Sequence, residues 1–179
     1  MKILTICPSL RKDSLNRKLL KLASTMSSVN GAKVEHVELK DFEMPLYSQD
    51  IEEKAIPANA LALKQKMDEA EAIIISSPEY NFSVPGVLKN AVDWVSRTKP
   101  QPFRGKQILL MSASPSMVGG NRGLWSLRVS LEALGAHVYP DMFSLSLAHE
   151  AFNEKDELKD QKLNKDLEKL VSSFIVYVK

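Results

Sequence analysis

Residues 72–76 read Ala-Ile-Ile-Ile-Ser, and this short stretch decides the fold of the chain. A strand with one face in water alternates apolar and polar residues, whereas a continuous β-branched run is typical of a strand covered on both faces. Two further apolar runs lie within Ile3–Cys7 and Lys106–Ala113. The sequence therefore predicts a sheet whose central strands are buried between two layers of helices.

Amphipathic segments separate these runs, with apolar residues at the spacing of one helix face. The predicted helices are Leu15–Ser28, Pro57–Ala70, Pro85–Thr98, Leu124–Leu134 and Asp156–Val178. Further strands are predicted at Lys33–Leu39 and Ala136–Pro140, and Asp41–Ile56 is predicted to be an irregular connection. Strand and helix alternate about five times, which indicates an α/β fold with an open five-stranded parallel sheet and helices on both faces. No linker or repeat divides the chain, so residues 1–179 are predicted to form a single domain.

The composition excludes several classes of protein. Of 179 residues, 44% are hydrophobic and 26% are charged, values that exclude a disordered or fibrous chain. The net charge of +2 is too small for a protein whose whole surface binds nucleic acid, and no stretch reaches the roughly 20 apolar residues of a membrane span. The single cysteine, Cys7, excludes an intrachain disulfide and a Cys-rich zinc site, and it favours a reducing, cytoplasmic location. We therefore expect no nucleic-acid partner, no membrane partner and no metal site.

The loop after the first strand has the features of a phosphate site. In open parallel sheets, ligands bind outside the carboxyl ends of the strands. This loop carries short polar side chains at Ser9, Ser14 and Asn16, with Ser14 placed to cap the following helix. The free N–H groups of a helix N-terminus suit a phosphate, and between Ser9 and Lys21 five basic residues stand against one acidic residue. We expect Ser9, Arg11, Ser14 and Asn16 to bind a phosphate together, whereas the lysines alone are more typical of an exposed helix face.

The loop after the central strand, residues 77–86, reads Ser-Pro-Glu-Tyr-Asn-Phe-Ser-Val-Pro-Gly. Its two prolines and its glycine restrict its shape, and Tyr80 and Phe82 add apolar area to a loop. The backbone amides and aromatic side chains of a rigid loop can hold the edge and the face of a planar heterocycle. The alternative is a packed turn whose aromatic residues belong to the core. Glu79 has no sequence neighbour that would make it a general base, so we expect it only to position other groups.

The third loop, residues 112–122, contains small residues and the pair Gly119-Gly120. Such residues let a ligand approach the backbone closely, and a flexible glycine loop without a ligand is the alternative. The chain lacks both the Gly-Lys-Ser/Thr string of a P-loop and the Rossmann glycine fingerprint. A nucleoside-triphosphate site of the P-loop kind is therefore excluded.

Together, these loops resemble the NADPH-dependent FMN reductase family. Residues 9–16, SLRKDSLN, are similar to the opening signature of the family, and residues 78–94, PEYNFSVPGVLKNAVDW, are similar to its most specific motif. Residues 119–122, GGNR, are similar to its third loop. The resemblance extends from about Lys2 to about Ser146. It is nearest in character to the chromate, quinone and azo-dye reductases of the family.

The resemblance implies a flavodoxin-like fold with bound FMN, which takes a hydride from NADPH or NADH and passes electrons to a quinone, flavin, azo or metal-oxyanion acceptor. By position, the FMN phosphate would be held by Ser9, Arg11, Ser14 and Asn16. The isoalloxazine ring would be lined by Pro78, Glu79, Tyr80 and Asn81. The ribityl chain or ring edge would lie near Ser112 and Ser116. Because the flavin carries the chemistry, no catalytic side chain is assigned.

Three positions depart from the family pattern. Pro8 stands where glycine is frequent, and because proline has no backbone N–H, FMN binding is expected to be weaker or reorganised. Ser116 also stands where glycine is common, and its side chain would crowd the flavin. Cys7 replaces a small residue. We expect it to be a buried apolar residue, with a redox-sensing thiol as the alternative.

The resemblance also implies a homodimer, or a tetramer made of two dimers. Tyr80, Phe82, Trp94 and Trp125 lie near the predicted site in the sequence, and aromatic residues are enriched in interface cores. The alternative for Trp94 is the core of its own chain. Two other classes remain open: a flavin-binding electron carrier or redox-regulated interaction module without NAD(P)H oxidation, and a degenerate fold that has lost the cofactor. A dedicated carrier is more often strongly acidic, so the balanced charge disfavours it.

Overall fold

The computed structural model describes residues 1–179, in which strands and helices alternate. The strands are β1 (Lys2–Cys7), β2 (Lys33–Glu38), β3 (Ala72–Ser76), β4 (Gln107–Ala113), β5 (His137–Val138) and β6 (Phe143–Leu145). The helices are α1 (Leu15–Val29), α2 (Gln49–Glu52), α3 (Ala58–Asp68), α4 (Gly86–Ser96), α5 (Asn121–Ala133), α6 (Ala148–Ala151) and α7 (Gln161–Val178), with a 3-10 turn at Leu39–Asp41.

All strands pair in parallel, in the order β2-β1-β3-β4-β5, and β6 also pairs with β4. The predicted open parallel sheet is confirmed, but its fifth position is occupied by two short strands. Pro140, which has no N–H for a sheet hydrogen bond, lies between them. The predicted strand Ala136–Pro140 therefore ends early, and the chain rejoins β4 at Phe143, which was not predicted to be a strand.

The continuous apolar run of β3 divides between two hydrophobic cores. Ile73 and Ile75 pack with α3, α4 and α5 on one face of the sheet, whereas Ile74 packs with α1 and α7 on the other. All three isoleucines are buried, and each fully buried isoleucine contributes about 1.5–3 kcal/mol. This arrangement explains why the strand has no polar alternation.

Two helix starts differ from the prediction by three residues or more. Helix α5 begins at Asn121, not at Leu124, because Gly120 lies in the left-handed region with φ 87° and turns the chain into the helix one turn earlier. Helix α7 begins at Gln161, not at Asp156, because the Asp160 side chain accepts hydrogen bonds from two backbone N–H groups of the first turn. The connection predicted to be irregular contains the short helix α2.

Trp94 belongs to the core of its own chain. It is fully buried, its Nε1 donates to the Pro45 carbonyl at 2.7 Å, and its ring meets Tyr47 edge-to-face. Trp94 is therefore unavailable to a partner surface, and the alternative reading of this residue is the correct one. No helix of the protein is long and apolar enough to span a bilayer.

Candidate cofactor-binding site

The loops after β1, β3 and β4 meet around one cleft of about 220 Å³. Chain order reverses between β1 and β3, where ligands of open α/β sheets bind. The cleft is lined by Ser9, Arg11, Ser14, Leu15, Asn16, Pro78, Glu79, Tyr80, Ala113, Ser114 and Pro115. The three loops that the sequence singled out therefore do meet at one edge of the sheet.

The first loop, residues 8–14 between β1 and α1, presents hydrogen-bond donors without partners. No backbone N–H group of residues 10–13 donates a hydrogen bond within the chain, and the exposed Arg11 guanidinium has no hydrogen bond or ion pair. Ser9 and Ser14 are buried in the lining, and the Ser14 hydroxyl caps α1 by accepting from the Arg17 N–H at 3.3 Å. Free N–H groups and a guanidinium at a helix N-terminus are suited to an anion.

The positive charge around this loop is smaller than the local sequence suggests. Arg17 pairs with Glu38 at 2.6 Å, and Lys18 pairs with Asp156 at 2.5 Å. Both carboxylates come from distant parts of the chain, so local counting could not reveal them. Arg11 is the basic side chain that lines the cleft.

Asn16 ties the first loop to the sheet. Its Nδ2 donates to the Ala113 carbonyl at 2.8 Å, and its Oδ1 accepts from the Ala113 N–H at 2.9 Å and from the Ser76 hydroxyl at 3.1 Å. The side chain is almost fully buried. Asn16 therefore forms part of the cleft floor and joins the ends of β3 and β4.

Cys7 and Pro8 lie beneath the first loop and are both buried. Burial raises the pKa of the Cys7 thiol, which keeps it protonated and unreactive near neutral pH. These properties match a small apolar core residue and not a redox sensor. The unpaired N–H groups of the first loop follow Pro8, so proline at that position leaves them in place.

The second loop contains a tight turn. The Tyr80 N–H donates to the Ser83 carbonyl at 3.1 Å, and the Ser83 N–H donates back to the Tyr80 carbonyl at 3.0 Å. Both central residues, Asn81 and Phe82, have positive φ, as in a type I′ turn. Tyr80 is 46% exposed and Phe82 is 65% exposed, with the Arg122 guanidinium stacked 4.5 Å from the Phe82 ring centroid. The loop is a rigid turn, but its aromatic residues are not packed in the core.

Three residues predicted for the site are not in the lining of the cleft. Ser112 is fully buried, and its hydroxyl donates to the Gly119 carbonyl at 2.7 Å, within the third loop. Ser116 is exposed and hydrogen-bonds to the Ser114 hydroxyl, and Asn81 is exposed at the turn. Ser114 and Pro115 contact the cleft instead. The third loop therefore reaches the cleft through residues adjacent to the predicted ones, and the roles of Ser112 and Ser116 toward a cofactor stay predictions.

The glycines in and just after the third loop allow neighbouring segments of the protein to pack closely against it. A Cβ on Gly119 would lie 2.8 Å from the backbone of Ser144 and Leu145, and a Cβ on Gly120 would lie 3.1 Å from Ser112. A Cβ on Gly123 would lie 3.1 Å from Glu79. The space at these glycines is already filled by neighbouring segments. Gly119 and Gly120 therefore allow the third loop to pack closely against β4 and β6. That they also admit a ligand stays a prediction.

Comparison with known proteins identifies the family. The model of the NADPH-dependent FMN reductase family matches residues 1–150. The chain belongs to this family. The strand order is that of flavodoxin-like proteins, so the predicted fold class is confirmed.

Individual relatives agree with this assignment. A quinone reductase of Escherichia coli is 39% identical over 140 residues, covering 77% of this chain and 73% of the relative. An NAD(P)H-dependent FMN reductase of Pseudomonas aeruginosa is 32% identical over 182 residues, covering 100% of this chain and 96% of the relative. The solved structure of the flavoenzyme NAD(P)H:(acceptor) oxidoreductase FerB from Paracoccus denitrificans superimposes with a TM-score of 0.85 at 29% identity, over 99% of this chain and 96% of FerB.

This NADPH-dependent FMN reductase family member is thus an oxidoreductase that uses FMN, takes electrons from NAD(P)H and passes them to a small-molecule acceptor. The predicted family, enzyme class and cofactors are confirmed. The family assignment also favours the reductase over the electron carrier and the degenerate fold.

Proposed function

We propose that FMN binds in the cleft with its phosphate on the first loop and its ring against the second loop, and that the acceptor is a quinone. The observation that carries this proposal is the coincidence of two features in one cleft. The first loop offers unpaired N–H groups beside the free Arg11 guanidinium. Across the cleft lie Pro78, Glu79 and Tyr80, the fixed part of the second loop.

The charges of the cleft fit a phosphate. Arg11 is the single basic residue of the lining, and Glu79 is its single acidic residue. The Glu79 carboxylate accepts the Gly123 N–H at 2.8 Å, where the partial positive charge of the α5 N-terminus faces it. A phosphate on Ser9, Arg11 and Ser14 would therefore meet donors and a cation. In this arrangement Asn16 acts by fixing the loop to β4, because its oxygen already accepts two hydrogen bonds.

The ring end of the site rests on the second loop. Pro78, Glu79 and Tyr80 would line one edge of the isoalloxazine, with Asn81 at the adjoining turn. Ser112 would act through Gly119, whose carbonyl its hydroxyl holds, and Ser116 through Ser114, which faces the cleft. The backbone N–H groups of this rigid loop are the groups suited to stabilise negative charge on a reduced ring.

When bound, FMN would supply the redox chemistry between the nicotinamide and the acceptor. The protein contributes binding and orientation, and no side-chain acid or base is needed for hydride transfer. Holding both rings in contact makes the reaction effectively unimolecular. The exposed aromatic rings of Tyr80 and Phe82 beside the cleft are suited to cover a planar quinone or nicotinamide.

One titration tests the proposal. Purified protein is freed of flavin, FMN is added, and absorbance near 450 nm is followed while NADPH and then a benzoquinone are added without oxygen. We expect bound FMN to bleach with NADPH and to recover with the quinone. Binding without bleaching would favour the electron carrier, and failure to bind FMN would favour the degenerate fold.

We also propose a homodimer, supported by an apolar surface beside the cleft. On α5, Trp125 is 53% exposed and Val129 is 68% exposed one turn later. Two such side chains on one helix face are suited to an interface core. Light scattering should give twice the chain mass, and the double variant Trp125→Ser, Val129→Ser should give a monomer. Val176→Ser, on an exposed position of α7, is the control.

We further infer a cytoplasmic location. NAD(P)H, the electron donor of the family, fits a cytoplasmic enzyme, and the lone Cys7 is a free thiol. Fractionation of cells that express the tagged protein tests this location.

A further inference from the structure

Arg17, in the first turn of α1, has all five of its N–H donors on protein acceptors. Its Nε and Nη2 donate to the two carboxylate oxygens of Glu38 at 2.6 and 2.8 Å. Its Nη1 donates to the carbonyls of Arg11 and Lys12 at 2.9 and 2.6 Å, and Nη2 makes a longer contact of 3.4 Å with the Ser9 carbonyl. A guanidinium has five N–H donors, so none is left for an external phosphate.

Arg17 also lies on the side of the first loop that faces away from the cleft, where it cannot contact a ligand in the cleft. It lines a separate surface depression with Lys21, Ser24, His36 and Glu38, and it is not among the residues that line the cleft. The three carbonyls that it holds belong to the loop that separates these two places. Arg17 therefore contacts the first loop from outside the proposed phosphate site.

Glu38 fixes the position of the guanidinium. Its side chain is only 11% exposed, it binds Arg17 in the two-pronged geometry that arginine and carboxylate favour, and it also contacts His36 Nε2 at 2.8 Å. The other ring nitrogen of His36 lies 3.1 Å from the hydroxyl of the buried Thr5. Arg17 and Glu38 together form a clamp on the first loop. Residues at the end of β2 and in the middle of β1 hold this clamp in place.

The carbonyl contacts determine where the N–H groups of the loop point. In a planar trans peptide, the N–H of one residue points opposite to the carbonyl of the residue before it. Because the carbonyls of Ser9, Arg11 and Lys12 point to Arg17, the N–H groups of Leu10, Lys12 and Asp13 point away from it. None of these N–H groups has a partner within the chain.

We propose that Arg17, held by Glu38, is a positioning residue that orients the first loop for the cofactor phosphate and does not bind the phosphate itself. This inference rests on the proposed function, because it assumes that the phosphate of FMN occupies the first loop. It assigns the selectivity for a phosphorylated flavin partly to two residues outside the cleft.

The test compares FMN with riboflavin, which lacks the phosphate. Dissociation constants for both flavins are measured by quenching of flavin fluorescence in Arg17→Ala, Arg17→Lys, Glu38→Gln and the wild type. Lys21→Ala is the matched control, because Lys21 is an exposed cation one turn along α1 whose side chain has no partner. Thermal unfolding of each variant establishes that it is folded.

We expect Arg17→Ala to weaken FMN binding by about tenfold or more, as for the loss of charge-assisted hydrogen bonds, and riboflavin binding by less than about threefold. Arg17→Lys should not rescue FMN binding, since an ammonium lacks the planar fork. Glu38→Gln separates positioning from charge. It makes the region more positive, so a purely electrostatic role predicts tighter FMN binding, whereas the clamp predicts weaker binding.

Three results would overturn the inference: equal losses for FMN and riboflavin, rescue by lysine, or tighter FMN binding in Glu38→Gln. If Arg17→Ala does not fold, the Glu38→Gln comparison still decides. A wild-type protein that binds no FMN would overturn the proposed function and this inference with it. A wild type that binds FMN normally, with variants that match it, would overturn the inference alone.

Discussion

The Glu79 carboxylate accepts the backbone N–H of Gly123 at 2.8 Å, and this hydrogen bond joins the second loop to the first turn of α5. The contact depends on the missing side chain of Gly123, since an added Cβ would lie 3.1 Å from both Glu79 Cβ and the Ser83 carbonyl oxygen. A carboxylate at this place also interacts favourably with the helix dipole. The second loop and the start of α5 are therefore held together by a hydrogen bond and by close packing.

Gly123→Ala should destabilise the protein even though alanine favours a helix. Overpacking of this kind costs about 1–3 kcal/mol, more than the gain of up to about 1 kcal/mol in helix propensity. Gly86→Ala is the control, because Gly86 lies in the first turn of α4 and an added Cβ would meet nothing within 4 Å. Urea unfolding should show Gly86→Ala at least as stable as the wild type. Equal effects of the two substitutions would contradict the packing argument.

Arg11→Ala should weaken FMN binding by about 1.5–3 kcal/mol without unfolding the protein, because it removes a charge-assisted contact to the phosphate. The backbone carbonyl that Arg17 holds remains in this variant. Lys12→Ala removes an adjacent exposed cation that does not line the cleft, and it should change FMN affinity little. Isothermal titration with FMN measures both. Similar losses in the two variants would mean that only the total charge matters.

Phe82→Gly should stabilise the fold by up to about 1 kcal/mol. A bulky residue with φ of 61° is strained, at a cost of about 1–2 kcal/mol, and glycine removes this strain. The loss of the exposed stack with Arg122 offsets about 0.5–1 kcal/mol. Asn81→Gly, at the other positive φ, should gain less because asparagine tolerates this conformation. Chemical unfolding measures the stability of both variants. If the Phe82 ring covers the quinone, the KM for a quinone should also rise in Phe82→Gly.

Glu38 should make stability depend on pH in the acidic range. Burial opposes ionisation, but hydrogen bonds from Arg17 and His36 outweigh it and hold the pKa of Glu38 below its ordinary value of 4.5. A carboxyl whose pKa is lowered by folding stabilises the protein above its unfolded pKa, and this contribution is lost as the pH falls through the folded pKa. The unfolding free energy should therefore decrease below about pH 4.5.

The same measurement on Glu38→Gln isolates this carboxyl. The pKa values of Glu35 and Glu69 are also lowered, by hydrogen bonds from Lys2 together with Lys66 or Gln65, so the wild type contains several such contributions. The difference between wild type and Glu38→Gln should shrink as the pH falls. A difference that stays constant with pH would show that ionisation of Glu38 does not contribute.

Local patterns were sufficient to predict the strands that are covered on both faces. The boundaries of β3 match the prediction because its residues face two cores and leave no ambiguity in period. Strand β6 was missed because Phe143–Leu145 is short and its pairing with Met111–Ala113 is a long-range relation. The start of α7 was misplaced because the charged segment before it resembles a helix face, whereas the Asp160 cap decides the boundary.

The site shows the same division. The loops that form the cleft followed from their position at strand ends and from their unusual residues. The hydrogen-bond partners within the site could not be predicted from the sequence. Glu38, Ala113 and Gly123 contact the loops from positions far along the chain. Burial of Ser112 and the outward position of Ser116 likewise depend on how the third loop packs on β6. The sequence alone therefore predicts where the site lies but not the role of each residue in it.

The double hydrogen bond between Asn16 and Ala113 has a consequence for the order of folding. Its two ends are 97 residues apart, so the floor of the cleft is complete only after α1 has met the end of β4. A chain still emerging from the ribosome can form β1, α1 and β2 early, yet it cannot assemble the floor until Ala113 is available. Competence to load a flavin should thus arise late during synthesis, after most of the sheet exists.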